Sequence, residues 1–321
     1  MLVTNRDEAV AVPYMPQFSS LSKLFTLPIA LLLSLMFFMI FSVKSPITVH
    51  AASSHLSWGA EKMGFDKYAA SISNPSKVTV AVIDTGADLD NSFLQGRLVS
   101  GFDFGDNDNN PQDIDGHGTY VCSIIADCTS KLNSVKIMPL KVSDSQGNIY
   151  SNYQAKAIRY AVNKGANIIS ITVGNNSSDD HLVDQAINYA VNKGVFVVVS
   201  AGNTSSDVSN WCPAHNNASI AVSALDNSLQ FASYSNYGKA IDFCAPGTDV
   251  YGARLGGGLI KQSGTSASSP HIAAAAAMIL SKNPDYSTSK ISSALRYSCD
   301  DLGEIGKDDL YGYGFVNLRN L

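Results

Sequence analysis

Four apolar segments in the chain predict strands that are buried on both faces of a sheet. Each is a near-continuous apolar run, without the alternation of apolar and polar residues that a half-exposed strand shows. Helical stretches lie between them, so strands and helices alternate along the chain. The four segments are residues 77–83, 135–142, 167–173 and 195–200.

Two of the helical stretches are near-copies of each other. Residues 157–165 read AIRYAVNKG and residues 186–194 read AINYAVNKG, and each is followed by an apolar segment. Lys followed by Gly is a common helix end. Successive helix–Gly–strand units predict an α/β fold with a doubly wound, mostly parallel sheet and helices on both faces. No linker divides residues 53–321, so we expect a single domain there.

The N-terminal region has the properties of an export segment. Residues 24–43 carry no charge and lie between Lys23 and Lys44, and the sequence Val49-His50-Ala51-Ala52 suits signal-peptidase cleavage after Ala51. The apolar run also just reaches the length that spans a bilayer. Residues 1–52 are therefore predicted to be a signal peptide, or a signal anchor that holds the protein on the outer face of the membrane. Both alternatives place the remainder outside the cytoplasm, secreted or anchored, with no further membrane contact.

Charge and cysteine content narrow the possible functions. A net charge of −5 and a pI near 5.6 argue against a nucleic-acid-binding surface. The chain has five cysteines, an odd number, so at least one is not paired within the chain. We expect Cys122 and Cys244 to be small core residues. Cys212 and Cys299 are the pair to test first for a disulfide.

Three short segments carry side chains that together can build an activated nucleophile. Asp84 follows directly on the first apolar segment, and active sites of open α/β sheets form beyond the carboxyl ends of strands. His117 lies between two glycines at the start of a helical run. Ser266 begins an alanine-rich helix, whose N-terminal dipole favours a developing oxyanion. A turn aspartate, a loop histidine and a helix-capping serine are the respective structural alternatives.

A fourth segment supports these three. Asn203 follows the apolar segment 195–200 through Ala201 and Gly202. Its side-chain amide can donate a hydrogen bond to the oxyanion of a tetrahedral intermediate. A simple turn asparagine is the alternative interpretation.

Together the four segments resemble the subtilase family of serine peptidases. The likeness covers most of residues 57–318, from Trp58-Gly59 to the sequence YGYGFVN at 311–317. The resemblance implies that Asp84 orients His117 and that His117 takes the proton of Ser266. It also implies that Asn203 and the Ser266 amide hold the oxyanion. The expected activity is that of an exported serine endopeptidase on peptide or protein substrates, and we expect a monomer.

The resemblance also assigns the substrate cleft, where this chain departs from the family. Residues 172–175 read Thr-Val-Gly-Asn instead of Ser-Leu-Gly-Gly, and the nucleophile motif reads Gly-Thr-Ser-Ala-Ser instead of Gly-Thr-Ser-Met-Ala. Trp211 occupies a position beside the primary pocket where the family often has a small residue. We expect it to shrink or reshape that pocket. The predicted substrate-binding residues are Thr172, Val173, Gly174, Ala201, Gly202 and Trp211.

An acidic loop is the candidate metal site. Oxygen-bearing side chains recur there at close, mostly alternating spacing, as Ca²⁺ requires, and the run resembles a calcium loop from one branch of the family. A solvated acidic loop is the alternative. The predicted ligands of a structural Ca²⁺ are Asp103, Asp106, Asp108, Asn110 and Gln112.

Two further expectations concern folding and the function class. About thirty residues separate Ala52 from Asp84, which leaves no room for the folding propeptide common in secreted subtilases. Unaided folding, or help from a separate protein, is therefore expected. The alternatives to a general protease are a narrow-specificity processing peptidase that removes leader peptides, and a catalytically silent binding module.

Overall fold

The computed structural model describes residues 55–177 and 180–321. The predicted signal peptide or anchor lies outside the described residues. Within the described part of the chain, no helix combines the length and apolar character needed to cross a bilayer. Residues 55–321 belong to one compact unit.

Helices and strands alternate through most of this unit. The seven described helices are α1 (Trp58–Met63), α2 (Phe65–Ala70), α3 (His117–Cys128), α4 (Ser151–Asn163), α5 (His181–Asn192), α6 (Thr265–Lys282) and α7 (Thr288–Ser298). The described strands are β1 (Val78–Asp84), β2 (Phe102–Asp103), β3 (Val135–Lys141), β4 (Ile168–Ile171), β5 (Phe196–Ser200), β6 (Ile220–Leu225), β7 (Ile241–Pro246), β8 (Val250–Ala253), β9 (Leu259–Gln262), β10 (Cys299–Asp300) and β11 (Phe315–Val316).

The central sheet has the predicted doubly wound topology. Its nine strands run in the order β10-β11-β7-β6-β5-β4-β1-β3-β2. All neighbouring pairs are parallel except β10 with β11. The four apolar segments identified in the sequence became β1, β3, β4 and β5, and the near-copied segments became most of α4 and α5. The fold class is therefore confirmed.

Two apolar clusters cover the two faces of this sheet. One contains α3, α6 and α7, and the other contains α4 and α5. Helix α6 is buried along almost its whole length, and Ala273 to Ala277 have no solvent exposure. Because alanine side chains are short, the α6 backbone can lie close to the sheet and bring the start of the helix to the strand ends.

The suggested Cys212–Cys299 disulfide was wrong. All five cysteines are free thiols in the structure. Cys212 is buried in the cluster on the α4–α5 face, whereas Cys299 packs against the cluster on the opposite face. The sheet therefore separates the two sulfur atoms. Cys122 and Cys244 are fully buried core residues, as expected.

An ion-pair cluster anchors the start of the described chain. The His55 ring lies between Asp66 of α2, with 3.1 Å from Nε2 to Oδ1, and Asp127 of α3, with 3.3 Å from Nδ1 to Oδ1. The Leu56 N–H donates to the same Asp127 oxygen. The Asp127 hydrogen bond raises the pKa of His55; burial opposes this, and the charges of Asp127 and Asp66 add to it.

We predict that His55→Gln destabilises the protein more at acidic than at alkaline pH. Because the folded-state pKa is raised, the ion pairs stabilise fully below the unfolded pKa of about 6.5. Their contribution is lost as the pH rises through the folded pKa. Urea unfolding of both proteins at pH 5.5 and pH 9.5 measures the difference. An equal loss of stability at both pH values would contradict a charged His55.

Candidate active site

The candidate catalytic residues lie at the carboxyl edge of neighbouring strands. Asp84 is the last residue of β1, Thr172 directly follows β4, and Asn203 lies three residues beyond β5. Because β1, β4 and β5 are adjacent parallel strands, their ends meet at one edge. His117 begins α3 and Ser266 lies in the first turn of α6, so two helix N-termini border the same edge.

Asp84 and His117 form a carboxylate–imidazole pair in which the carboxylate is buried and the imidazole is partly exposed. His117 Nδ1 lies 2.8 Å from Asp84 Oδ1 and 2.9 Å from Oδ2. The carboxylate has no solvent exposure. It also accepts hydrogen bonds from the Thr85 N–H and the Thr172 hydroxyl. Burial alone would raise the pKa of Asp84, but the charge of His117 and these hydrogen bonds hold it below its ordinary value.

The same pair sets the charge state of His117. Burial favours the neutral ring, whereas the charge and hydrogen bond of Asp84 favour the protonated ring and raise the pKa of His117 to about 9. Asp115 and Asp113 add to this effect. Because Nδ1 is held by Asp84, Nε2 is the nitrogen left to exchange a proton with another group.

Asp113 shapes the loop that carries His117, and the sequence analysis missed it. Its buried carboxylate accepts hydrogen bonds from the Thr85 hydroxyl, from the N–H groups of Asp115 and Gly116, and from both the N–H and the hydroxyl of Thr119. It therefore joins the end of β1 to the start of α3. In the sequence, Asp113 is one of several closely spaced aspartates, so only its burial distinguishes it.

Ser266 and Asn203 border a common space. A Cβ built on Gly264 would lie 3.2 Å from Ser266 Oγ and 3.3 Å from Asn203 Nδ2. Asn203 Oδ1 accepts hydrogen bonds from the Thr265 N–H at 2.8 Å and the Thr265 hydroxyl at 2.9 Å. These bonds fix the amide so that Nδ2 is the end left to donate. The Ser266 N–H is one of the first-turn amides that a helix leaves without an intrahelical acceptor.

The described residues contain no hydrogen bond between His117 and Ser266. The serine hydroxyl has no acceptor among the described residues either, so it is not committed to another role. Hydrogen bonds between nucleophile and base are often long before substrate binds. The structure thus holds one half-site, Asp84 with His117, and a second, Ser266 with Asn203.

The predicted substrate-binding residues play different parts. Thr172 turns its hydroxyl to Asp84. Gly174 and Gly202 lie on two backbone segments that face each other across Trp211. Ala201 is fully buried in the structure. Its N–H donates to the Val222 carbonyl and its carbonyl accepts from the Asn236 side chain, so its backbone is held within the protein.

The indole of Trp211 lies between these two glycines. A Cβ on Gly174 would lie 3.0 Å from Trp211 Nε1, and a Cβ on Gly202 would lie 2.6 Å from Trp211 Cε2. Real Cβ atoms essentially never come as close as 2.6 Å and rarely as close as 3.0 Å, so the ring is packed directly against the two glycine backbones. This contact places Trp211 between Gly174 and Gly202.

The acidic loop does not assemble the predicted set of calcium ligands. Asp103 is buried and forms an ion pair with Lys141, and its other oxygen accepts from the Gly105 and Asp106 N–H groups. Asp106, Asp108 and Asn110 are exposed. Gln112 Oε1 accepts from the Leu89 N–H. Among the described residues, no three His, Cys, Asp or Glu side chains come together as a metal site. Asp103 therefore does not fit as a ligand, since Lys141 already neutralises it.

Comparison with known proteins identifies the family. Residues 75–314 match the model of the subtilase family, Peptidase S8. Thermitase of Thermoactinomyces vulgaris is 34% identical over 242 residues, which cover 73% of this chain and 85% of thermitase. Subtilisin DY of Bacillus licheniformis is 31% identical over 82% of this chain and 97% of its own length.

Other relatives extend the comparison. A thermophilic serine proteinase of Bacillus sp. (strain AK1) is 36% identical over 75% of this chain, which spans 60% of that protein's length. Among solved structures, a lanthipeptide protease superposes with a TM-score of 0.76 at 28% identity, over 83% of this chain and 94% of its own. Sphericase superposes with a TM-score of 0.73 at 30% identity, over 83% and 99% of the two chains.

We predict that peptidase activity has an alkaline pH dependence governed by His117. A histidine that accepts a proton from serine must be neutral, and the pKa of about 9 makes the neutral ring scarce at pH 7. The value of kcat/KM for a peptide substrate should therefore rise with pH, with an inflection above the ordinary histidine value of about 6.5. Circular dichroism across the same pH range controls for unfolding. An inflection at or below 6.5 would contradict the assigned charge state.

Proposed function

Because the chain belongs to the subtilase family of serine-type peptidases, we propose that it cleaves internal peptide bonds with Asp84, His117 and Ser266 as its catalytic triad. The observation that carries the proposal is the contact of His117 with the buried Asp84 carboxylate, with 2.8 Å between Nδ1 and Oδ1. This contact fixes the imidazole so that Nε2 is available as the base.

In the proposed reaction, Ser266 Oγ attacks the carbonyl carbon of the substrate while His117 Nε2 takes the hydroxyl proton. The carbonyl oxygen becomes an oxyanion, to which Asn203 Nδ2 and the Ser266 N–H donate. His117 then gives its proton to the leaving amine as the C–N bond breaks, which forms an acyl-enzyme. His117 then takes a proton from water, whose oxygen attacks the acyl carbon. As the ester C–O bond breaks, His117 gives this proton to Ser266 Oγ, and the carboxylic acid product leaves. Asp84 stays ionised and stabilises the imidazolium that forms in both halves.

We expect the full-length protein to react with a fluorophosphonate probe at Ser266, and Ser266→Ala to abolish labelling. Asn203→Ala should keep Ser266 but lower kcat by roughly 100- to 1,000-fold, the range that the equivalent donor gives in subtilisin itself. Active-site labelling and peptide hydrolysis measure the two effects. A correctly folded protein that is not labelled would favour the alternative, a catalytically silent binding module.

A narrow-specificity processing peptidase is the second candidate function. It is supported by Trp211, which packs between Gly174 and Gly202 beside the cleft, and by the likeness to the solved lanthipeptide protease. A general degradative enzyme needs a cleft that admits many side chains. The proposed substrate is therefore a peptide or protein cut at few positions, such as a leader peptide.

The location of the enzyme remains part of the proposal. We place residues 53–321 outside the cytoplasm, either secreted after cleavage near Ala51 or anchored through residues 24–43. The support is the uncharged run between Lys23 and Lys44. N-terminal sequencing of the protein recovered from cells distinguishes the two forms. We expect the enzyme to act as a monomer.

We also propose that calcium binds the exposed part of the acidic loop through Asp106 and Asp108, with Asn110 beside them. These oxygens suit Ca²⁺, whereas Asp103 is neutralised by Lys141. A cation there would have a structural role only.

Calcium at ten times its Kd should stabilise the fold by about 1.4 kcal/mol, and a D106N/D108N variant should lose this effect. Thermal unfolding with calcium or a chelator measures it, and an unchanged Tm in the native protein would overturn the site.

A further inference from the structure

The position of Trp211 bears on the side chain that precedes the scissile bond, the P1 residue. Strands β4 and β5 pair up to Ile171 and Val199, and beyond this point their chains are no longer joined by strand pairing. One chain continues to Gly174 and the other to Gly202 and Asn203. Because Asn203 donates to the oxyanion of the scissile carbonyl in the proposed reaction, the P1 α-carbon lies next to these segments. The gap between them is where a P1 side chain enters.

Trp211 occupies this gap. Its ring lies against the backbone of Gly202, where a built Cβ would be 2.6 Å from Cε2 and 2.8 Å from Cδ2. On the other side, a Cβ built on Gly174 would be 3.0 Å from Nε1. No space for a second aromatic or long aliphatic side chain remains between the indole and either backbone segment.

The backbone around Trp211 is held on both sides. The Trp211 N–H donates to Val208 O at 2.9 Å, and the Trp211 carbonyl accepts from the His215 N–H at 2.9 Å. The next residue, Cys212, exchanges hydrogen bonds in both directions with Asn175, the neighbour of Gly174. The indole is therefore tied to the same segment that it packs against, and the backbone cannot withdraw without breaking these bonds.

We propose that Trp211 fills the P1 pocket and restricts the enzyme to polypeptides with glycine or alanine before the scissile bond. This inference rests on the proposed peptidase function. A glycine or alanine at P1 needs no volume beyond its α- or β-carbon. A leucine or phenylalanine would have to displace the indole. The substrate class is thus a peptide cut after a small residue.

The test uses peptides that differ only at P1, with Gly, Ala, Leu or Phe. For the native protein, kcat/KM should be higher for Ala than for Phe by on the order of 100-fold, as pocket exclusion of this kind gives. Trp211→Ala should open the gap and raise the relative rate for Phe at least about tenfold. Trp211→Phe, which keeps a ring in the gap, should retain the preference for small residues.

The outcomes separate this inference from the proposed function. If the folded native protein is not labelled by the fluorophosphonate probe, both the proposed peptidase function and the role of Trp211 are overturned. Labelling together with a native preference for Leu or Phe overturns only the role of Trp211. If peptide turnover is too slow to measure, the labelling rates of peptidyl phosphonates with Ala or Phe at P1 give the same ratio. If Trp211→Ala fails to fold, the ratio of kcat/KM for the Ala and Phe peptides still tests the inference in the native protein and in Trp211→Phe.

Discussion

The rest of the site depends on one buried negative charge, the carboxylate of Asp84. A buried ionised group costs free energy unless charged and hydrogen-bonding partners surround it. Here the partners come from separate parts of the chain: His117 from the start of α3, Thr172 from the end of β4, and the backbone of Thr85. The contacts of these partners with the Asp84 carboxylate therefore join three elements at the carboxyl edge of the sheet. The same contacts orient the imidazole of His117.

The nucleophile side of the site is assembled in a different way, without a buried charge. Asn203 and Thr265 hold each other by hydrogen bonds, and the Thr265 hydroxyl also accepts from the Gly202 N–H at 3.0 Å. These contacts tie the end of β5 to the first turn of α6. Because α6 is packed through its alanines against the sheet, the position of Ser266 relative to Asp84 follows from the strand order β5-β4-β1. The two half-sites lie at the same edge of the sheet because only β4 separates their strands, β1 and β5.

The sequence was sufficient for the features that depend on local pattern. Apolar runs marked the buried strands, and Lys-Gly marked the ends of α4 and α5. It was insufficient where the role of a residue depends on a partner that is distant in the sequence. Asp103 reads as a calcium ligand until Lys141 is found beside it. Asp113 is indistinguishable from its neighbouring aspartates until it is seen to be buried among donors, and the proposed Cys212–Cys299 bond fails because a sheet lies between the two residues. In each case the error concerned the tertiary environment, not the residue type.

In the proposed enzyme, catalysis and substrate choice use the same two backbone segments but depend on different contacts. The Asn203 amide is fixed through Thr265, whereas the width of the neighbouring gap is set by the indole of Trp211 against Gly174 and Gly202. A larger residue at either glycine would collide with the indole, so the tryptophan and the two glycines form one dependent set. Nothing in that set bonds to the Asn203 side chain. The residues of this set can therefore change without displacing the Asn203 side chain, so P1 preference and the proposed oxyanion contact are separable in this structure.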